Sequence, residues 1–87
     1  MYVVSPRVLR AELDSELVLL NPETAMYHLV NATGARVIEG FDDGLDTLAT
    51  GERIADETGG DLTRVLADVD SFVATMLSKG LLQPVSE

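Results

Sequence analysis

The chain has 87 residues, enough for one domain (1–87) built around one modest core. Fifteen acidic residues against six basic ones give a formal charge of −9, which works against binding to phosphate backbones and anionic lipid. With no cysteine there are no disulfides, thiolate metal sites or cysteine nucleophiles, a composition that suits a reducing cytoplasm.

The amino-terminal stretch MYVVSPRVLRAEL has too short an apolar run before Ser5 and Pro6 for a signal peptide or a membrane span. Within it, VLRAEL (8–13) is rich in strand formers, and Asp14-Ser15-Glu16 supplies a turn. Leu17 to Leu20 form a second short apolar strand, closed by the turn sequence NPET, in which Pro22 presets φ. AMYHLV (25–30) returns as a third strand. Three short strands with tight connections predict an antiparallel meander, too small to stand alone and so covered by helices on one face.

Asn31 is an N-cap candidate, with Thr33 close behind as a second, and Ala32, Ala35, Val37, Ile38 and Phe41 then recur as one apolar stripe. That helix stops at Asp42-Asp43-Gly44. A second helix is expected from about Leu48 to Thr58, ending at Gly59-Gly60, with Gly51 inside it at a cost of roughly 1 kcal/mol relative to alanine. The third begins at Asp61 and carries Leu62, Val65, Leu66, Val69, Phe72, Val73, Met76 and Leu77 at helical spacing before Lys79 and Gly80. LLQPV follows as an extended tail. The reading is an α+β fold, three antiparallel strands and then three helices, ordered like a winged helix-turn-helix with its wing first.

Little here points to catalysis. His28, the one histidine, lies in a strand with no nearby serine or cysteine, and reads most simply as half-buried with one satisfied nitrogen. The acid pairs Asp42/Asp43 and Asp56/Glu57 point apart on a helix. There is no metal-ligand spacing and no phosphate loop, so neither metal nor cofactor is expected. A DNA-reading third helix would need a basic face, yet Arg64 and Lys79 stand among Asp61, Asp68 and Asp70.

The run LVLLNPETAMYHLVNATGARVIEGFDDG, followed by LADVDSFVATMLSKGLL, resembles the PqqD-like proteins, also called RiPP recognition elements. The resemblance covers residues 8 to 83 and lies in the order and spacing of the motifs. Gly51 in the middle helix and Leu29-Val30 before the asparagine depart from the usual pattern. The resemblance implies a non-catalytic, cytoplasmic protein that binds the leader of a ribosomally made precursor peptide by strand addition and presents it to a modifying enzyme. By position it places the leader against Ala25, Met26, Tyr27, His28, Leu29 and Val30, with Val65, Asp68, Phe72 and Met76 on the facing helix wall. Leu66, Val69 and Val73 are left to the core. Among pathways, the NATGA run favours the partner of the transglutaminase-like leader protease of lasso-peptide biosynthesis. The alternatives are a PqqD-type peptide chaperone for a radical-SAM enzyme in pyrroloquinoline quinone synthesis, and a purely structural subunit.

Overall fold

A computed structural model describes residues 1–14 and 16–85. Its elements run β1 (Tyr2–Val4), β2 (Leu9–Leu13), β3 (Glu16–Asn21), β4 (Met26–Val30), α1 (Ala32–Asp42), α2 (Thr47–Thr58), α3 (Leu62–Ser78) and β5 (Leu82–Pro84). The expected meander is present as an antiparallel sheet in the order β2-β3-β4. Of the turn predicted at 14–16, Ser15 lies outside the described residues, and Asp14 takes a positive φ of 57°.

The NPET turn forms from its own side chains. Asn21 Oδ1 accepts the Glu23 N–H at 3.0 Å, and Thr24 Oγ1 accepts that of Met26 at 3.3 Å. Ala25 belongs to this turn and not to the strand, a correction to the reading of 25–30. Its φ of 57° is left-handed, and the pairing with β3 begins one residue later, at Asn21 opposite Met26.

Two short strands were not expected. The tail predicted after Gly80 is β5, and it pairs antiparallel with β1, Val3 opposite Gln83. This second sheet brings Tyr2 to 6.0 Å (ring centroids) from Phe41 of α1.

Each helix starts on a side-chain cap: Asn31 on Gly34 N–H (2.8 Å), Asp46 on Ala49 N–H (2.8 Å) and Asp61 on Arg64 N–H (3.3 Å). The end of α3 is a Schellman turn. Leu81 N–H reaches Met76 C=O at 2.9 Å and Gly80 N–H reaches Leu77 C=O at 3.1 Å, with Gly80 at φ 69°. Such a turn brings the side chains of Met76 and Leu81 together, and both are fully buried.

The core lies between the inner face of the meander (Leu17, Leu19, Val30) and the three helices, through Val37, Ile38 and Phe41, Ile54, and Val69 and Val73. Leu66, assigned to the core by its spacing, is only half-buried and packs on α2. The outer face of the sheet is left bare, with Leu9, Leu13, Tyr27 and Leu29 more than half exposed. Among the described residues no helix is long and apolar enough to cross a membrane.

Two glycines let the helices approach closely. A Cβ at residue 40 of α1 would lie 2.6 Å from Oγ1 and 2.7 Å from Cγ2 of Thr50, a stiff, fully buried side chain of α2. A Cβ at residue 51 of α2 would meet Leu66 Cδ2 at 2.4 Å, the tip of a flexible side chain. Overpacking costs about 1–3 kcal/mol and outweighs the roughly 1 kcal/mol that alanine gains over glycine in a helix. Gly40→Ala is therefore expected to lower the melting temperature by several degrees, and Gly51→Ala by less, because Leu66 has room to rotate. A calorimetric melt in which Gly40→Ala is the more stable of the two would contradict the packing at that crossing.

Candidate functional site

The arrangement of β4 follows from one carbonyl. Lys79 Nζ donates a long hydrogen bond of 3.4 Å to Tyr27 C=O, so that carbonyl points away from β3. In an antiparallel pair the N–H and C=O of one residue point to the same side, and the sides alternate along the strand. Met26, His28 and Val30 thus bond Asn21, Leu19 and Leu17, their partners in register, while Tyr27 and Leu29 direct their backbone groups outward. The left-handed residue at Ala25 fits a four-residue hairpin loop closed by a bonded Asn21–Met26 pair.

That outward edge opens on a groove of about 360 Å³. Its walls are His28, the start of α1 (Asn31, Thr33, Gly34, Val37) and one stripe of α3 (Asp68, Ser71, Phe72, Thr75). Gly34 sets its floor. A Cβ there would fall 2.7 Å from Phe72 Cε1 and 2.8 Å from Val30 Cγ1, so only glycine lets the ring rest on the first turn of α1. The Phe72 ring also stands edge-on to His28, with ring centroids 6.3 Å apart. A second cleft of about 330 Å³, between the other edge strand, β2, and α1, is walled by Glu12, Asp14, Glu16, Glu39 and the Arg10–Asp42 ion pair, so acids dominate its lining.

Of the expected contact residues, the groove brings together His28, Asp68 and Phe72. Tyr27 and Leu29 offer it their backbone, with their side chains on the bare outer face. Met26 is exposed at the start of the strand. Three side chains lie elsewhere. Met76, fully buried, lies on the core face of α3 with Val69 and Val73, and Val30 is 1% exposed with its side chain inward. Val65 faces Gly51 of α2 and Gly60 of the α2–α3 connection, which leave it space. Lys79 is a participant that the sequence marked only as a helix end and as an isolated base on an acidic helix. The spacing Asp68, Phe72, Thr75, Lys79 follows one helical stripe, and that was the available signal.

Known proteins share this fold. The family model described as "Coenzyme PQQ synthesis protein D (PqqD)" matches residues 16–82. The chain belongs to the PqqD family. A solved chain described as "TbiB1 in Complex with the TbiA(beta) Leader Peptide" is similar at 27% identity and a TM-score of 0.86, over 98% of this chain and 99% of that one. A second, "Lasso peptide synthetase B1 complexed with the leader peptide", is 22% identical with a TM-score of 0.86, over 95% of this chain and 98% of that one, and shares the fold. No curated protein matches.

In this PqqD-family domain the groove residue His28 stands beside Lys79. Lys79 Nζ lies 2.9 Å from His28 Nδ1. An ammonium has only donors, so Nδ1 is the acceptor and the imidazole proton sits on Nε2. Partial burial, and then the charge of Lys79, hold the His28 pKa below its ordinary value of 6.5. Among the described residues no group of three or more His, Cys, Asp or Glu side chains is placed to hold a metal ion.

Since the folded protein resists protonating His28, the unfolded chain takes up the proton first as pH falls. The contribution of His28 to stability is complete above pH 6.5 and is lost as pH drops through the folded-state value. With one histidine, a single imidazole resonance reports this in NMR. Its midpoint is expected below 6.5, and Lys79→Met should move it part of the way back, because burial is the larger cause. An unchanged midpoint in that variant would mean that Lys79 does not sit on the ring in solution.

Proposed function

We propose that this domain binds the leader of a ribosomally synthesised precursor peptide as an added antiparallel strand on β4 and presents the precursor to a separate modifying enzyme. The observation that carries this is the open edge of β4, whose Tyr27 and Leu29 backbone groups face a groove walled by α3. An exposed edge invites pairing, and a peptide strand satisfies its hydrogen bonds while flanking pockets read alternate side chains. The similar chain solved with the TbiA(beta) leader peptide supports the same reading. The domain acts as a recognition protein without chemistry of its own, in the cytoplasm where precursor peptides are made.

For the pathway, the lasso-peptide branch with a transglutaminase-like leader protease as partner is preferred over a radical-SAM partner in pyrroloquinoline quinone synthesis. It is supported by the NATGA run at 31–35 and by the fold shared with the lasso synthetase B1 chain.

Proline scanning of the strand tests the mechanism. The Tyr27 N–H faces outward, so Tyr27→Pro removes a donor that the fold does not use. It is expected to stay folded and bind the cognate leader at least tenfold more weakly, about 1.4 kcal/mol. Tyr27→Ala, which keeps the donor, should retain most of the affinity. His28→Pro instead breaks the ladder to Leu19 and leaves a buried carbonyl unpaired, costing about 1–3 kcal/mol of stability. Melting curves and leader titrations on the three variants check this. Full leader affinity in a folded Tyr27→Pro variant would mean that the peptide does not pair with β4.

A further inference from the structure

The chain contains one lysine, and it stands at the groove. Four of the five arginines are matched with acids, Arg7 with Glu23, Arg10 with Asp42, Arg36 with Glu57 and Arg53 with Asp43. Lys79 makes no ion pair with any described residue, although fifteen acids crowd the small surface. Its ammonium is half-buried against two neutral acceptors, the His28 ring at 2.9 Å and the Tyr27 carbonyl at 3.4 Å. It has three N–H donors, so at least one is left over.

We propose that Lys79 selects a peptide carrying an aspartate or glutamate at the carboxy-terminal end of the segment that pairs with β4. The proposal rests on the strand-addition reading above and adds the chemistry of one peptide side chain.

The direction comes from the groove. Lys79 lies beside Tyr27, near the start of β4. Asp68 lies three turns back along α3, about 16 Å away, beyond Phe72 and toward Asn31. An antiparallel peptide enters at the Val30 end and leaves at the Met26 end, so it passes Asp68 first and Lys79 last. At about 3.3 Å per residue the two charges lie roughly five peptide residues apart.

The energetics favour a single acid there and disfavour others. A net charge of −9 repels acidic peptides as a class. Beside Lys79 a carboxylate meets a half-buried cation that no described residue pairs, and partial burial strengthens that attraction relative to one at the exposed, likewise unpaired Arg64. Pairing also rearranges the donors. A peptide N–H is the better partner for Tyr27 C=O, and as it takes that oxygen the ammonium gives up its long bond and turns to the carboxylate.

The test uses the full 87-residue chain to select from a displayed library of random twelve-residue peptides. The wild type should enrich peptides with an acid at one fixed offset, carboxy-terminal to an apolar stretch. Lys79→Arg should keep that preference, and Lys79→Glu should replace the acid by lysine or arginine at the same offset. The best wild-type peptide, resynthesised with glutamine in place of its acid, should bind at least tenfold more weakly to the wild type and equally well to Lys79→Ala. If Lys79→Ala loses affinity evenly for both forms, Lys79 serves only as the end of α3 and the proposal falls. If the wild type enriches peptides with no acid preference, selection by Lys79 is wrong while strand addition stands. If it enriches no peptide at all, strand addition itself fails and the proposal with it.

Discussion

The missing side chain at residue 34 is the constraint from which the rest of the groove follows. Because that position is bare, the Phe72 ring lies on the first turn of α1 and against Val30. The ring then acts as a spacer of fixed thickness between α3 and the corner where β4 turns into α1. The helix is close enough to wall the strand edge and too far away to cover it. Sheet edges are commonly blunted by charge, by proline or by an overlying helix. Here the overlying helix is held off, so the edge stays available and remains shielded from flat edge-to-edge association.

Charge distribution reinforces this arrangement. Most basic residues are consumed in ion pairs at the surface, such as Arg10 reaching Asp42 from β2 to α1 at 2.8 and 2.9 Å. Such exposed pairs contribute little stability each, and their effect is to leave the surface without free basic patches. Against that background the Lys79–His28 contact holds a positive charge in a partly buried place with no acid of the described residues paired to it, unlike Arg10, which Asp42 neutralises in its own cleft. It brings the only histidine and the only lysine together from elements far apart in sequence.

Much of the fold was legible because it is written locally. Asn31 and Asp61 announce their helices as side-chain caps, and the apolar stripes of α1 and α3 have the period that a single buried face demands. NPET forms its turn with its own oxygens. What escaped reading depends on distant partners. β1 and β5 are three residues each, too short for a periodic signal, and each exists only because of the other. Ala25 in a left-handed conformation has no sequence mark, since glycine or asparagine is the usual occupant there. Met76 looked like a wall residue by its place on the stripe, but it shares the buried face of α3 with Val69 and Val73. Gly51 read as a weakness in α2 and is instead the point where Leu66 comes close. The parity of β4 was hidden because both faces of the strand are apolar, and only the Lys79 contact reveals it.

The pairing of β1 with β5 sets a timetable. β1 is the first of these elements to leave the ribosome and β5 the last, and they bond only to each other. Leu81 and Leu82, the second of them already in β5, are buried in the core and arrive equally late. Native structure therefore cannot be completed on the nascent chain while residues 81–84 are still in the exit tunnel. Joining β1 to β5 closes a loop of nearly the whole chain, an entropic cost that only the completed chain can meet. A domain whose ends meet in this way finishes folding only after its last strand is free.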